Sequence, residues 1–116
     1  MTRSPVQIVQ AYLDAMNGGD PIALAAEIAE WIVVYGPDWS IEYQGRPAFE
    51  AHYRDLLASN PDLKAELLDR IAVGEWVIDE WIVSGYANGT QTHIVTIFQV
   101  VDGLIATVRT LTDQPR

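Results

Sequence analysis

From Pro61 onward the sequence has no helical period and is cut three times by turn signals: Gly74-Glu75, Asn88-Gly89 and Asp102-Gly103. Asn-Gly and Asp-Gly between apolar runs are the residue pairs that positive-φ hairpin turns require. The segments between these cuts are 63–73, 76–86, 90–101 and 104–112, each rich in β-branched and aromatic residues. Four strands joined by short turns make an antiparallel meander, and the closing "DQPR" reads as a tail.

The first half follows other rules. Ser4-Pro5-Val6-Gln7 is a helix start: Ser4 caps, Pro5 suits the first helical position and Gln7 completes a capping box. Val6, Val9, Leu13 and Met16 then fall on one stripe, with Ile8, Tyr12 and Ala15 beside it, until Gly18-Gly19 stops the helix. Asp20-Pro21 repeats the cap-plus-proline signal before "IALAAEIAE", which predicts a second helix over 22–30 in an αα-hairpin with the first. "WIVVYG" predicts a strand at 31–36, "PDW" a turn and "SIEYQ" a short return strand. Gly45-Arg46-Pro47 opens a third helix, "AFEAHYRDLLAS", whose Phe49, His52, Tyr53, Leu56 and Leu57 share a face, and Asn60-Pro61 closes it.

Helices that precede strands, rather than alternating with them, argue an α+β fold with three helices on one face of a curved sheet. The 116 residues amount to one domain, 1–116. A sheet covered on one side by three helices leaves a concave apolar space, the usual seat of a small ligand. Other function classes are disfavoured. Seven basic residues are scattered among 16 acidic ones, for a net charge of −9, so neither nucleic acid nor an anionic membrane is an expected partner. Without cysteine and with two histidines, no ligand spacing suggests a metal. No basic leader and no apolar run of about 18 residues appears, so a cytoplasmic location is expected.

A puzzle sits in "EWVIDEWIVSGY": a strand with a core-facing pattern holds Asp79 and Glu80 side by side. A two-residue turn at Asn88-Gly89 would pair Val83 with Ile94, Trp81 with Thr96 and Asp79 with Phe98 on one face. The other face carries Trp76, Ile78, Glu80 and Ile82 opposite His93, Val95 and Ile97. Both faces are apolar, so one lines the interior and the other awaits a cover.

"AYLDAMNGGD", the alanine-rich segment after it, "GRPAFEAHY", "NPDLKAELLDRIAVGEWVIDEWIVSG" and "IFQVVDGLI", in this order and spacing, resemble the nuclear transport factor two-like superfamily, in its SnoaL-like and steroid isomerase-like branches. The likeness spans the whole chain. It implies a cone of curved antiparallel sheet capped by helices around a pocket, with pairing of two copies through the outer face of the sheet. It also places the Asp79, Trp81 and Val83 face inside the cone and Glu80 outside. A small apolar molecule is then the expected ligand, with Trp81, Val83, Thr96, Phe98 and His52 around it and no cofactor.

The resemblance further implies roles. Tyr12 matches the first-helix tyrosine that donates a hydrogen bond in the steroid isomerases, and Tyr53 matches a supporting tyrosine. Asp79 has two readings: an acid–base group whose pKa is raised by apolar neighbours, or a carboxylate hydrated or paired with an arginine. His52 is either a proton shuttle or a satisfied rim histidine. The isomerases' proton-abstracting aspartate falls on Gly36, and their second acid on Thr96. The Asp–Arg–Asp set of limonene epoxide hydrolase falls on Trp81, Val83 and Thr110. Neither chemistry carries over by residue identity. Arg109 faces inward if the Asp102-Gly103 turn is plain; a one-residue bulge after it turns Val108 and Thr110 inward instead, the arrangement the resemblance favours.

Overall fold

A computed structural model describes residues 3–113, so most of the expected tail, 114–116, lies outside the described residues. The elements are α1 (Pro5–Asn17), α2 (Pro21–Ala25), β1 (Ile28–Tyr35), β2 (Ile41–Gln44), α3 (Arg46–Ser59), β3 (Lys64–Val73), β4 (Trp76–Ser84), β5 (Thr92–Val101) and β6 (Leu104–Thr112). They build a six-stranded sheet in the order β2-β1-β6-β5-β4-β3. The expected meander β3-β4-β5-β6 is present and antiparallel. The sheet as a whole is mixed, because β1 joins β6 in parallel. No helix among the described residues is long and apolar enough to cross a membrane.

Local chemistry sets the helix ends. At α1 the capping box forms as read: the Gln7 backbone N–H donates to Ser4 Oγ, and the Ser4 N–H donates to Gln7 Oε1 at 2.7 Å. Asp20 caps α2 through the Ala23 N–H at 3.0 Å. That helix ends at Ala25, well before the expected Glu30. The alanines and glutamates of "IALAAEIAE" favour helix weakly, and pairing wins: Ile105 N–H donates to Glu27 O at 2.9 Å and Ile28 aligns with Ile105. Strand β1 therefore starts three residues earlier than the apolar run at 31 suggests.

The three helices cover one face of the sheet. Ile8, Val9, Tyr12, Leu13 and Met16 of α1 pack with Leu24, Phe49 and Leu57 against Ile28, Ile32, Val77, Phe98 and Ile105. Asn17, at the end of α1, clamps the sheet edge: its side chain donates to Ala65 O and accepts from Ala65 N, at 2.9 and 2.7 Å.

The β4–β5 connection corrects the two-residue turn. Strands end at Ser84 and resume at Thr92, and the observed pairs are Asp79 with Thr96, Trp81 with Ile94 and Val83 with Thr92. Gly85 causes the early end. It has φ +82°, and a Cβ there would lie 1.9 Å from Asp62 O. The Asn88 carboxamide oxygen is spent locally on Thr90, accepting from its N–H and hydroxyl at 3.0 and 2.7 Å. The offset is two residues, so every side chain keeps its expected face.

Single extra residues in three strands do change faces. In β3, Leu67 pairs with Trp81 but Asp69 pairs with Glu80, so Leu68 is a bulge. In β6, Val100 pairs with Ile105 but Gln99 with Thr107, which makes Ala106 the extra residue and turns Val108 and Thr110 inward. Arg109 then lies on the outer face, with its guanidinium 4.0 Å from the Trp39 ring centroid and a hydrogen bond to Pro37 O. In β2, Val34 pairs with Tyr43 but Tyr35 with Ile41, so Glu42 is the extra residue.

Without the bulge at Leu68, Asp69 would sit opposite Asp79. With it, Arg70 does. Asp79 is 0% exposed. Its Oδ1 accepts from Arg70 Nε at 2.6 Å, and its Oδ2 from Arg70 Nη2 at 2.8 Å and Trp81 Nε1 at 3.1 Å. Arg70 Nη1 donates to Gln10 Oε1 at 2.8 Å, which ties α1 to the same knot. A bidentate pair with every acceptor used is the geometry in which a buried carboxylate is tolerated.

Two stability predictions follow from these contacts. Arg70→Met leaves Asp79 buried without its partner and should cost about 3–5 kcal/mol in denaturant unfolding. Asp79→Ala should cost a similar amount, and the double variant less than the sum; additive losses would show that the pair is not coupled. Gly85→Ala should cost more than about 3 kcal/mol, since a positive φ and a backbone clash coincide there, and an unchanged melting temperature would refute that account.

Candidate active site

The helices and the concave sheet face enclose a cavity of about 220 Å³. Its wall combines Tyr12 and Met16 from α1, Phe49, His52, Tyr53 and Leu56 from α3, and Trp81, Val83, Ile94, Thr96, Val108 and Thr110 from the strands. Val34, Glu42, Tyr43, Leu63 and Tyr86 complete it. Six of the side chains expected there therefore converge: Tyr12, Tyr53, His52, Trp81, Val83 and Thr96.

Two do not reach the cavity. Phe98 lies beneath the wall, fully buried, with its ring centroid 5.1 Å from Tyr12 and 5.9 Å from Trp81. Asp79 lies behind Trp81, occupied by Arg70 and by the Trp81 indole N–H. It is the interior acid of the Asp79–Glu80 pair, as parity implies. The arginine-paired reading describes its surroundings. Glu80 points outward and meets His93 Nε2 at 2.7 Å. The hydrogen bonds of Asp79 strengthen its partner's charge: the Arg70 guanidinium is held above its ordinary range by them, against the opposing effect of burial.

The polar centre of the cavity is a cluster of phenols. Tyr12 Oη donates to Tyr53 Oη at 3.0 Å. Tyr43 lines the same cavity. Burial pushes the Tyr53 hydroxyl above its ordinary pKa, and donation from Tyr12 partly offsets this. Tyr12 and Tyr43 are raised as well, first by burial and then by Tyr53. All three are neutral near pH 7. A hydroxyl carries one proton and two lone pairs. With Tyr12 donating to it, Tyr53 keeps its own proton for a further acceptor. A ligand oxygen in the cavity is suited to that proton.

The rim carries the other titratable groups. His52 stacks on Tyr43 at 4.9 Å and packs edge-on against Tyr53 at 5.0 Å. Burial lowers its pKa below the ordinary histidine value, while Glu42 and Asp55 pull the other way, so its imidazole is neutral at pH 7. Asp38 is turned to its own loop, its Oδ1 accepting from Ser40 N and Oγ at 3.1 and 2.6 Å. Among the described residues no group of His, Cys, Asp and Glu could hold a metal ion.

Tyr43, Glu42 and Tyr86 were not among the site residues expected from sequence. Strict alternation in "SIEYQ" puts Tyr43 and Glu42 on opposite faces; the bulge that brings both to the cavity leaves no signature in five residues. Tyr86 was read as the end of a strand, and past the break at Gly85 it lines the cavity.

Solved structures share this architecture at low identity. A cystatin-fold protein from Novosphingobium aromaticivorans superposes with a TM-score of 0.86 at 16% identity, covering 94% of this chain and 98% of that one. IdmH from Streptomyces antibioticus, provisionally assigned as a polyketide cyclase, gives 0.79 at 20% identity over 96% of this chain and 93% of its own. A protein from Jannaschia, provisionally assigned as a SnoaL-like polyketide cyclase, gives 0.79 at 17% identity over 97% and 91%. No curated protein matches the chain. At these identities the structural likeness establishes the fold alone; the sequence itself matches the SnoaL-like domain over residues 9–108, and the chain belongs to that family.

Proposed function

We propose that this SnoaL-like protein binds a small, largely apolar carbonyl compound and performs cofactor-independent acid–base chemistry on it: isomerisation, cyclisation or hydration. The observation that carries the reading is the Tyr12–Tyr53 hydroxyl pair, 3.0 Å apart, inside a cavity walled mostly by apolar and aromatic side chains. A neutral phenol that receives a hydrogen bond is a better donor to a developing oxyanion than an isolated one. Tyr53 polarises the carbonyl and Tyr12 supports it. Trp81, Val83 and Thr96 shape the wall, and His52 closes the rim. Asp79 acts through Trp81: it fixes the indole and does not meet the substrate. The provisional assignment of two structural relatives as polyketide cyclases supports cyclisation within this range.

A second reading is a non-catalytic binding module. It is favoured by Gly36 and Thr96, which stand where the resembled isomerases carry acids. Turnover separates the two. A β,γ-unsaturated cyclohexenone reports proton transfer through its conversion to the conjugated ketone, and a naphthol reports binding by its fluorescence. Tyr53→Phe should lower the isomerisation rate by roughly 10²–10³ fold, the loss typical of one oxyanion donor. Val83→Trp should fill the cavity and abolish naphthol binding. Binding without turnover by the unaltered protein would favour the second reading; neither binding nor turnover would refute both.

We also propose that a second copy of the chain covers the outer face of the sheet. Ile71, Val73 and Trp76 are 56%, 69% and 39% exposed there, and half-buried Ile78, Val95, Ile97 and Leu111 continue the patch. Contiguous apolar surface of this kind favours association. Sedimentation should give a dimer at micromolar concentration and a monomer for Trp76→Glu/Ile97→Glu; a monomeric unaltered protein would refute the pairing.

A further inference from the structure

We propose that Glu42 is the proton-transfer carboxylate of this cavity, delivered from β2 into the space that Gly36 leaves open. The proposal rests on the enzyme reading above and supplies the base which that reading lacks. Tyr53 can stabilise an oxyanion, but a proton must first leave the adjacent carbon, and Asp79 is committed to Arg70 and Trp81.

Three observations converge on Glu42. First, it is the extra residue of the β2 bulge, between Tyr43, which pairs with Val34, and Ile41, which pairs with Tyr35. Regular alternation would send it to the outer face with Tyr35. A bulge re-aims a side chain, and here Glu42 joins Tyr43 in lining the cavity. Second, its carboxylate lies against the open side of Gly36: a Cβ built there would be 3.1 Å from Glu42 Oε1, with Ser40 Oγ and Asp38 Oδ1 at 3.4 and 3.5 Å. Any larger residue at 36 would contest that volume. Gly36 also closes a turn through its N–H to Ser40 O at 2.8 Å, which holds the end of β1 beside β2. Third, the charge of Glu42 acts on the phenols and the imidazole of the site. It raises Tyr43, Tyr53 and His52, and among the described residues it is the carboxylate that lines this cavity.

The step balances without a further reactant. The Glu42 carboxylate takes a proton from the carbon between the carbonyl and the alkene. The C–H electron pair becomes a C=C bond, and the carbonyl oxygen takes up negative charge against the Tyr53 hydroxyl. The protonated Glu42 returns its proton to the far carbon of the dienolate. The carbonyl and the conjugated alkene result, and the carboxylate is restored. The position at the rim fits the task, because Glu42 is exposed and borders the cavity at once.

The test uses the full chain, the β,γ-unsaturated cyclohexenone as substrate, solvent deuterium to trace the transferred proton, and naphthol to read binding. Glu42→Gln keeps the size of the side chain and removes its basicity. It should lower isomerisation and deuterium uptake by about 10²–10⁴ fold while naphthol affinity stays within about threefold. Gly36→Asp in a Glu42→Ala background, where the shortened side chain at 42 vacates the space, returns a carboxylate to that space. Gly36 does not need the left-handed region, so the change is tolerated, and turnover should recover by about tenfold or more. If Glu42→Gln turns over like the unaltered protein while Tyr53→Phe does not, Glu42 is overturned and the enzyme reading stands. Loss of naphthol binding together with turnover in Glu42→Gln would assign it to binding and overturn the proposal. An unaltered protein that binds naphthol but converts no ketone overturns both.

Discussion

Side-chain parity along six strands is the constraint on which this molecule depends. A β-strand has two faces, and one residue more or less exchanges them. Here the interior face must supply a wall for a cavity, a buried ion pair and a set of hydroxyls. Three single-residue insertions arrange this. Leu68 turns Arg70 toward Asp79, Ala106 turns Val108 and Thr110 inward and Arg109 outward, and the irregularity at Glu42 brings that carboxylate to the rim. Between β4 and β5, where the connection is longer than a tight turn, the displacement is two residues and the faces survive. The curvature that makes the sheet a cone and the chemistry that makes it a site share these devices, because bulges both bend strands and re-aim side chains.

Asp79 illustrates how parity and partner differ in what a sequence discloses. The alternation of "WVIDEWIVS" is enough to put Asp79 inside with Trp81 and Val83, and Glu80 outside. Nothing in the strand names the partner. A regular β3 would oppose Asp79 with Asp69, a like-charge contact inside the protein. The one-residue insertion that avoids it is invisible as a pattern, since "LKAELLDRIAV" alternates only loosely. An acid that looks partnerless in the sequence is thus held by three donors in the fold.

Elements with their own local chemistry were legible: the Ser4 capping box, the Gly45-Arg46-Pro47 helix start, and the Asp102-Gly103 turn, whose φ values of 52° and 80° fit a tight hairpin. Less legible were the places where a distant contact outweighs a local preference. The segment 26–30 favours helix by composition but is claimed by β6. Asn88-Gly89 has the residues of a hairpin turn but not its strands, because Gly85 is drawn against the backbone of Asp62. Of the site, the helix-borne tyrosines and the β4 wall were readable from period and resemblance. The β2 contribution, Glu42 and Tyr43, was not, because an edge strand of four residues has too little period to declare a bulge.

A small protein keeps an open cavity only if its walls cannot relax into it. Empty volume costs stability, and aliphatic side chains would shift to reclaim it. The wall here is braced by rings in mutual contact. Tyr12 meets Phe49, Tyr53, Trp81 and Phe98 at centroid separations between 5.1 and 6.4 Å, and Phe49 meets Tyr53 at 4.6 Å. Trp81 is pinned from behind by Asp79, which is pinned by Arg70, which is tied to α1 through Gln10. The ion pair therefore serves the site without entering it: it stops the largest ring of the wall from turning inward. A ligand that fills the space binds only the folded chain and so adds to its stability. The same bracing holds the Tyr53 hydroxyl in place, as the proposed stabilisation of an oxyanion would require.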